Sequence, residues 1–230
     1  MTAPGIAQQP TTSTWSMYRA IVGIGVLCAL VIVAVYQATA ERIRDNQARF
    51  LAAAVAQVLP QARTTINLAV TEGGDLVAVE EPGALPVFLG YDADAKLAGA
   101  VVTAQGMGYQ DNIRLIYAYS FDTQTITGFK VLDSKETPGL GDRVEKEPHF
   151  LANFEALSAR LTPDGDALLH RIVTVKEGEK TEPWQIDGIT GATITSEAIG
   201  SIIDASADTW LPLLVDGAGA FGIDDSSEAP

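Results

Sequence analysis

The segment from Asp187 to Glu197 contains the residues best suited to bind or attach a ligand. It reads DGITGATITSE and combines hydroxyl groups with small residues in a short loop that leads into a predicted helix. The first N–H groups of a helix lack intrahelical partners and carry a partial positive charge, and both properties favour phosphate. Gly188, Gly191 and Ala192 allow another backbone or a flat ligand to approach closely. We therefore predict a phosphate-binding loop here.

The hydroxyl groups of this loop have two interpretations. In the first, Thr195 or Ser196 caps the following helix by accepting a hydrogen bond from an unpaired amide. In the second, Thr193 is joined covalently to a phosphate, with Thr190 and Thr195 as phosphate or cap donors. The pattern D-x-x-[ST]-G-A-[ST] ends here at Thr193 and is typical of proteins that a flavin transferase modifies on the last hydroxyl. That pattern favours the second interpretation.

A second loop, from Glu136 to Asp142, reads ETPGLGD. Pro138 stiffens it, and its two glycines permit close approach of a flat group. We expect this loop to lie over the plane of a flavin ring, where Thr137 or a backbone amide can donate a hydrogen bond to the ring. The alternative is a tight turn with a structural role only. The candidate cofactor contacts are Glu136, Thr137, Pro138, Gly139 and Leu140.

The ETPGLGD motif comes first in the chain and the Asp187–Glu197 motif second, both behind an apolar amino-terminal span. This arrangement resembles the G subunit of the Rnf electron-transport complex. More distantly it resembles the C subunit of the sodium-translocating NADH:quinone oxidoreductase. The resemblance runs from about Ala20 to Leu214 and implies an electron carrier with FMN on Thr193, in an ion-translocating complex that couples ferredoxin and NAD. It implies other membrane and redox subunits as partners, and a flavin transferase for maturation. Ser134-Lys135 departs from the family, which often has histidine there.

A phosphoester on Thr193 Oγ would retain the cofactor rather than tune it. The linkage lies far from the isoalloxazine ring, and it removes the dissociation equilibrium of a noncovalent flavin. Asp187 is expected either to be read by the modifying enzyme or to stabilise the turn. No residue is assigned a catalytic role, because the chain alone is not expected to turn over a substrate. Tyr109, Phe129 and Trp184 are aromatic residues near the motifs and are expected to pack in the core.

Short β-rich runs separated by glycine, asparagine and aspartate predict the sheet that positions these loops. The second and third runs are joined by Phe121–Thr125 and predict an antiparallel hairpin. Alternate residues of the second run share one face, namely Ile113, Leu115, Tyr117 and Tyr119. The four runs are Leu97–Ala104, Ile113–Ser120, Ile126–Leu132 and Ala167–Val175.

Two helices are predicted to flank the sheet. The segment from Pro148 to Arg160 has apolar residues at helical spacing, and proline is tolerated in its first turn. The segment from Ser196 to Leu214 carries a second apolar stripe. The sequence thus predicts an α+β fold. One amino-terminal transmembrane helix precedes a single FMN-binding domain with a mainly antiparallel sheet and flanking helices.

An uncharged run from Ala20 to Tyr36 predicts the transmembrane helix. At about 1.5 Å per residue it nearly spans a hydrocarbon core of roughly 30 Å, and extension to Trp15 completes the span. Aromatic rings at both ends suit the head-group region. We assign residues 15–38 to the anchor and residues 39–60 to a connecting amphipathic helix that ends at Pro60.

Two alternatives to a retained anchor arise from this run. Ala38-Thr39-Ala40 has the small-x-small form of a signal-peptide cleavage site, but the apolar run exceeds the roughly 7–15 residues of a signal core. Cys28 suggests lipid attachment, but Leu27 precedes it where a small residue is expected. Both observations favour a retained anchor.

Charge and position disagree about the side of the membrane on which the domain lies. One arginine precedes the span, and Arg42, Arg44 and Arg49 follow it, so a count of cations keeps the domain inside. The amino-terminal position of the span and the family resemblance favour the periplasmic side. We expect a single-pass protein of the bacterial inner membrane.

The remaining segments are assigned by composition. Residues 1–14 are expected to form a disordered tail, because they have no apolar period. Residues 61–215 are assigned to the covalent FMN-binding domain. Residues 216–230 are expected to be an acidic, solvated tail.

Composition excludes several classes of function. The formal charge of −14 and the pI near 4.4 would repel polyphosphate, so nucleic-acid binding is not expected. A single cysteine, Cys28, permits no internal disulfide. His149 and His170 are the only histidines, so no cluster is available for zinc or an iron–sulfur centre. Redox chemistry therefore requires an organic cofactor.

Two alternatives to an Rnf-type electron carrier stay open. The domain is consistent with a cofactor-free assembly or sensor module anchored in the membrane. It is equally consistent with a flavin carrier for another respiratory chain. The hydroxyl at Thr193 argues against the first alternative, and nothing in the motifs separates the second from the Rnf interpretation.

Overall fold

The computed structural model describes residues 14–71, 75–80 and 83–217. The chain divides into two compact units, Met1–Phe50 and Leu51–Pro230, which we describe separately. The predicted disordered tail lies outside the described residues except for Thr14. The predicted acidic tail lies outside them from residue 218 onward, and its first two residues end the last helix.

One helix, α1, runs without a break from Thr14 to Val58. It covers both the predicted anchor and the predicted connecting helix. Its apolar side chains between Trp15 and Tyr36 are exposed, and the helix is long and apolar enough to cross a membrane. It ends just before Pro60, because the residue that precedes a proline disfavours helical dihedrals.

A seven-stranded antiparallel sheet forms the centre of the second unit, in the order β2-β1-β3-β4-β5-β6-β7. A separate parallel pair, β8 and β9, follows it in the chain. This confirms the predicted α+β fold with a mainly antiparallel sheet. The strands are β1 Thr64–Val70, β2 Leu76–Val79, β3 Val87–Tyr91, β4 Leu97–Met107, β5 Asn112–Ser120, β6 Thr125–Asp133, β7 Leu157–Ser158, β8 Val173–Val175 and β9 Gln185–Asp187.

The two faces of the sheet bury alternate residues of each strand, as strand geometry requires. One face carries Leu115, Tyr117 and Tyr119 into the main core, which confirms the face predicted for this strand. The opposite face carries Ile116 and Ala118 against the last turns of α1. The helix α3, Thr193–Gly217, packs on the main core face with nine buried residues.

Helix α3 also has the length and apolar composition of a membrane span, with 39% of its most apolar window buried. Ile199 and Ile203 of its apolar stripe are fully buried in the main core. The stripe therefore belongs to the core of the domain.

The helix predicted from Pro148 to Arg160 is wrong in its length. The observed α2 spans only Pro148–Ala152, a 3-10 turn follows at Asn153–Glu155, and β7 begins at Leu157. Asn153 ends the helix because its side chain donates to the backbone oxygen of Phe150 at 3.0 Å, and such local bonds compete with helix.

The strand predicted over Ala167–Val175 is also wrong, because only β8 at its end is extended in a sheet. The N–H groups of Leu168 and Ile172 donate to carboxylates of α3, Asp208 at 3.2 Å and Asp204 at 2.8 Å. Carboxylates thus accept the hydrogen bonds that these N–H groups would otherwise donate to a neighbouring strand.

A third difference concerns the start of α3. The helix begins at Thr193, three residues before the predicted start at Ser196. Strands β1, β2 and β3 have no counterpart among the predicted runs.

Candidate functional site

The two loops singled out by their sequence line one cavity of about 340 Å³. The first turn of α3 and the preceding turn form one wall, and the ETPGLGD loop forms the other. The turn after β4 closes one side. The lining residues are Tyr109, Glu136, Thr137, Leu140, Gly141, Gly191, Ala192, Thr193, Ile194 and Thr195.

Glu136 joins these walls. Its carboxylate is buried, and Oε2 accepts a hydrogen bond from Thr195 Oγ1 at 2.7 Å. Oε1 accepts a bond from the N–H of Gln110 at 2.9 Å. Thr137 Oγ1 donates to Gln110 Oε1 at 3.1 Å, so a second bond holds the same two segments together.

Thr193 is the first residue of α3, and its side chain is exposed at the cavity. The N–H of Ser196 donates to the oxygen of Ala192 at 2.9 Å, which begins the helical ladder. The N–H groups of residues 193–195 precede that bond and have no intrahelical acceptor. Ala192, at the cap position, has no side-chain acceptor for them. The helix therefore presents free donors beside the Thr193 hydroxyl.

The predicted capping roles of Thr195 and Ser196 are wrong. Thr195 lies inside the first turn and donates to Glu136. Ser196 Oγ is buried, donates to the oxygen of Ala192 at 2.9 Å and accepts from the N–H of Ile189 at 3.2 Å. These side chains hold the loop to the helix instead of capping it.

The turn before Thr193 is held from both sides. The N–H of Thr190 donates to Glu177 Oε2, and the oxygen of Thr190 accepts from Arg143 Nη1, each at 2.8 Å. Gly191 adopts φ of +87°, a conformation that favours glycine. Two hydrogen bonds from Thr190 hold the pKa of Glu177 below its usual range. The bond from the Thr190 hydroxyl has the larger effect, and the bond from its N–H has the smaller one. Neither Arg143 nor Glu177 was predicted from sequence.

A family model described as an FMN-binding domain matches residues 108–208, which include both cavity walls. The G subunit of an ion-translocating oxidoreductase complex from Methanosarcina acetivorans is 31% identical over 191 residues, 82% of this chain and 89% of that protein. The chain belongs to the G-subunit family of ion-translocating oxidoreductase complexes.

Further similarities agree with the family. The G subunit from Stutzerimonas stutzeri is 32% identical over 207 residues, which cover 86% of this chain and 81% of that protein. The fold is shared with the C subunit of the Na⁺-translocating NADH-quinone reductase from Parabacteroides distasonis, with a TM-score of 0.58 at 20% identity. That match covers 75% of this chain and 96% of the solved one.

Several of the predicted site residues of this family member do not line the cavity. Pro138 and Gly139 are exposed and are not among the lining residues, and Gly139 donates its N–H to Asp142 Oδ1 at 2.6 Å. Thr190 contributes its peptide to the turn contacts described above. The structure brings Glu136, Thr137 and Leu140 of the loop to the cavity.

Asp187 and Gly188 are buried behind the cavity wall. Asp187 Oδ1 accepts from the N–H of Gly178 at 2.7 Å, and Oδ2 lies 2.8 Å from His149 Nε2. A Cβ on Gly188 would lie 2.8 Å from the oxygen of Val175, so glycine is needed there for packing between strands. Of the two roles expected for Asp187, these contacts support turn stabilisation.

The aromatic residues near the motifs occupy three different environments. Phe129 stacks on Phe154 with ring centroids 4.2 Å apart against the main core, as predicted. Trp184 is half-buried and stacks on His170 at 3.8 Å. The core role predicted for Tyr109 is wrong, because its side chain is 63% exposed and lines the cavity.

Ser134 and Lys135 also take no part in the cavity wall. Lys135 Nζ pairs with Asp111 Oδ2 at 2.7 Å, and Ser134 Oγ accepts from the N–H of Glu136 at 3.3 Å. Ser134 therefore supports the backbone of Glu136, and Lys135 supports the turn after β4.

Proposed function

We propose that this chain is the electron-transfer subunit of an Rnf-type ion-translocating oxidoreductase complex and carries FMN covalently on Thr193. The observation that supports this most strongly is the convergence of two motifs on one cavity. The exposed Thr193 hydroxyl lies at its edge, at the start of a 25-residue helix. Membership of the G-subunit family and the match to an FMN-binding domain agree with it.

The residues around Thr193 suit the phosphate end of FMN. The free N–H groups of the first turn of α3 can donate to phosphate oxygens, and the helix terminus favours the negative charge. The bonds from Glu177 and Arg143 to the Thr190 peptide fix the turn that leads to Thr193. The Thr193 Oγ would form the phosphoester and so hold the cofactor without contact to the ring.

The other side of the cavity suits a flat aromatic ring. Tyr109, Leu140 and Ile194 are each more than half exposed although they are apolar, and all three line the cavity. A bound ring would cover part of this apolar surface, and the side chains would exclude water from it. When bound, FMN supplies the redox chemistry, and the protein supplies position and electrostatics.

The proposed function also assigns a role to each of the other segments of the chain. Residues 15–38 of α1 anchor the protein in the inner membrane, residues 39–60 connect it, and the domain at residues 61–215 lies on the periplasmic side. Its partners are the other membrane and redox subunits of the complex, and a flavin transferase attaches the cofactor. No turnover by this chain alone is required.

The test is the fluorescence of flavin on a denaturing gel, after co-expression of the full chain with a flavin transferase. We expect a fluorescent band for the natural chain and none for Thr193→Ala. Thr209→Ala, which removes an exposed hydroxyl from the same helix, is the matched control and should keep the fluorescence. A fluorescent Thr193→Ala band would refute the linkage, and a dark natural chain would favour the cofactor-free assembly module.

A further inference from the structure

We propose that Glu136 is a positioning residue of the flavin site, whose fixed negative charge lowers the midpoint potential of the bound flavin. This inference rests on the proposed function. It gives a role to the Glu136 carboxylate, although electron transfer by itself does not require a carboxylate at this position.

Glu136 joins three segments that are distant in sequence. The side chain is 6% exposed, and its two oxygens accept bonds from Gln110 and Thr195, which lie 26 and 59 residues away along the chain. One carboxylate thus fixes the turn after β4 and the first turn of α3 relative to the ETPGLGD loop. Each of these three segments contributes lining residues to the cavity.

Two glycines make room for this carboxylate. A Cβ on Gly108 would lie 2.6 Å from Oε1 of Glu136, and a Cβ on Gly141 would lie 2.7 Å from Oε2. Both distances are far below van der Waals contact, so any larger residue would displace the carboxylate. The backbone is therefore shaped around one position of this side chain.

Glu136 is held by hydrogen bonds and not by a cationic side chain. Among the ion pairs of residues 14–71, 75–80 and 83–217, none includes Glu136. Its carboxylate instead accepts hydrogen bonds from Gln110 and Thr195. Because no described cation forms an ion pair with this carboxylate, its charge acts on whatever occupies the cavity. Electrons that arrive on a ring there add negative charge, which the carboxylate disfavours.

The first test compares Glu136→Gln with the natural chain, both loaded with flavin and checked by mass. We expect the ratio of reduced to oxidised flavin at a fixed potential to rise at least tenfold in the variant. This corresponds to a midpoint potential about 30 mV higher for a two-electron couple. Glu155→Gln, an exposed carboxylate outside the cavity lining, is the control and should leave the potential unchanged.

An unchanged potential in loaded Glu136→Gln would overturn the inference. Failure of Thr193 in the natural chain to carry flavin would instead overturn the proposed function, so the two results are distinguishable. A second measurement needs no flavin. Hydrogen exchange of the Gln110 amide in the full chain should accelerate at least tenfold in Glu136→Ala and stay unchanged in Glu155→Ala. Unchanged exchange in Glu136→Ala would refute the positioning role.

Discussion

Substitution of Gly141 by alanine should disturb the flavin site through steric overlap. Gly141 is buried at the start of a 3-10 turn, and an added Cβ would lie 2.7 Å from both Cβ and Oε2 of Glu136 and 3.0 Å from Thr195 Oγ1. Overpacking of this kind costs about 1–3 kcal/mol. Displacement of Glu136 also weakens a charged hydrogen bond to Thr195, which contributes about 1.5–3 kcal/mol.

The overpacking and the weakened hydrogen bond both involve the same displacement of Glu136, so their costs do not add in full. We therefore expect a loss of about 3 kcal/mol in the free energy of unfolding. For a domain of this size that loss lowers Tm by about 6–12 °C. The assay is thermal denaturation of the flavin-free full chain in detergent, followed by near-ultraviolet circular dichroism. Gly83→Ala is the matched control, because a Cβ there meets nothing within 4 Å. A Gly141→Ala variant as stable as this control would refute the packing argument around Glu136.

Three further predictions concern other parts of the chain. Burial raises the pKa of Tyr119 from 10.0 to about 12, and its hydroxyl has no hydrogen-bond partner in the described part of the chain. The stability that neutral Tyr119 provides should therefore be complete below about pH 10 and decline as the pH rises toward 12. Tyr119→Phe should lack this alkaline decline in urea unfolding and match the natural chain at pH 7; an equal decline would refute the assignment. Asp204→Ala should cost about 1–3 kcal/mol, because the N–H of Ile172 loses its acceptor; an unchanged Tm would contradict this. Protease added to right-side-out membrane vesicles should digest the domain, whereas protection there and digestion in inverted vesicles would place it in the cytoplasm.

The central hairpin and one core face were predictable because their signals are local. Residues of β5 alternate regularly between the two faces, and a polar turn at Phe121–Thr125 leads to β6. Strands β1 and β2 were missed because several of their residues are exposed, and β3 was missed because it has only five residues. The strand predicted before β8 failed for a different reason, since its amides are bound by aspartates of α3 more than thirty residues away.

The sequence predicts the two loops of the candidate site but not the contacts that join them. The motifs name Thr193 and the ETPGLGD loop, yet nothing in the sequence indicates that Glu136 and Thr195 are hydrogen-bonded across 59 residues. Arg143 has the spacing of a surface ion pair with Glu147, and its second bond to the Thr190 carbonyl depends on tertiary structure.

The most direct test of the account is the intact mass of the full chain purified from its native host, followed by peptide mapping from Asp187 to Glu197. We expect a mass gain equal to FMN less one water, located on Thr193. An unmodified Thr193 in protein from an assembled, active complex would contradict it.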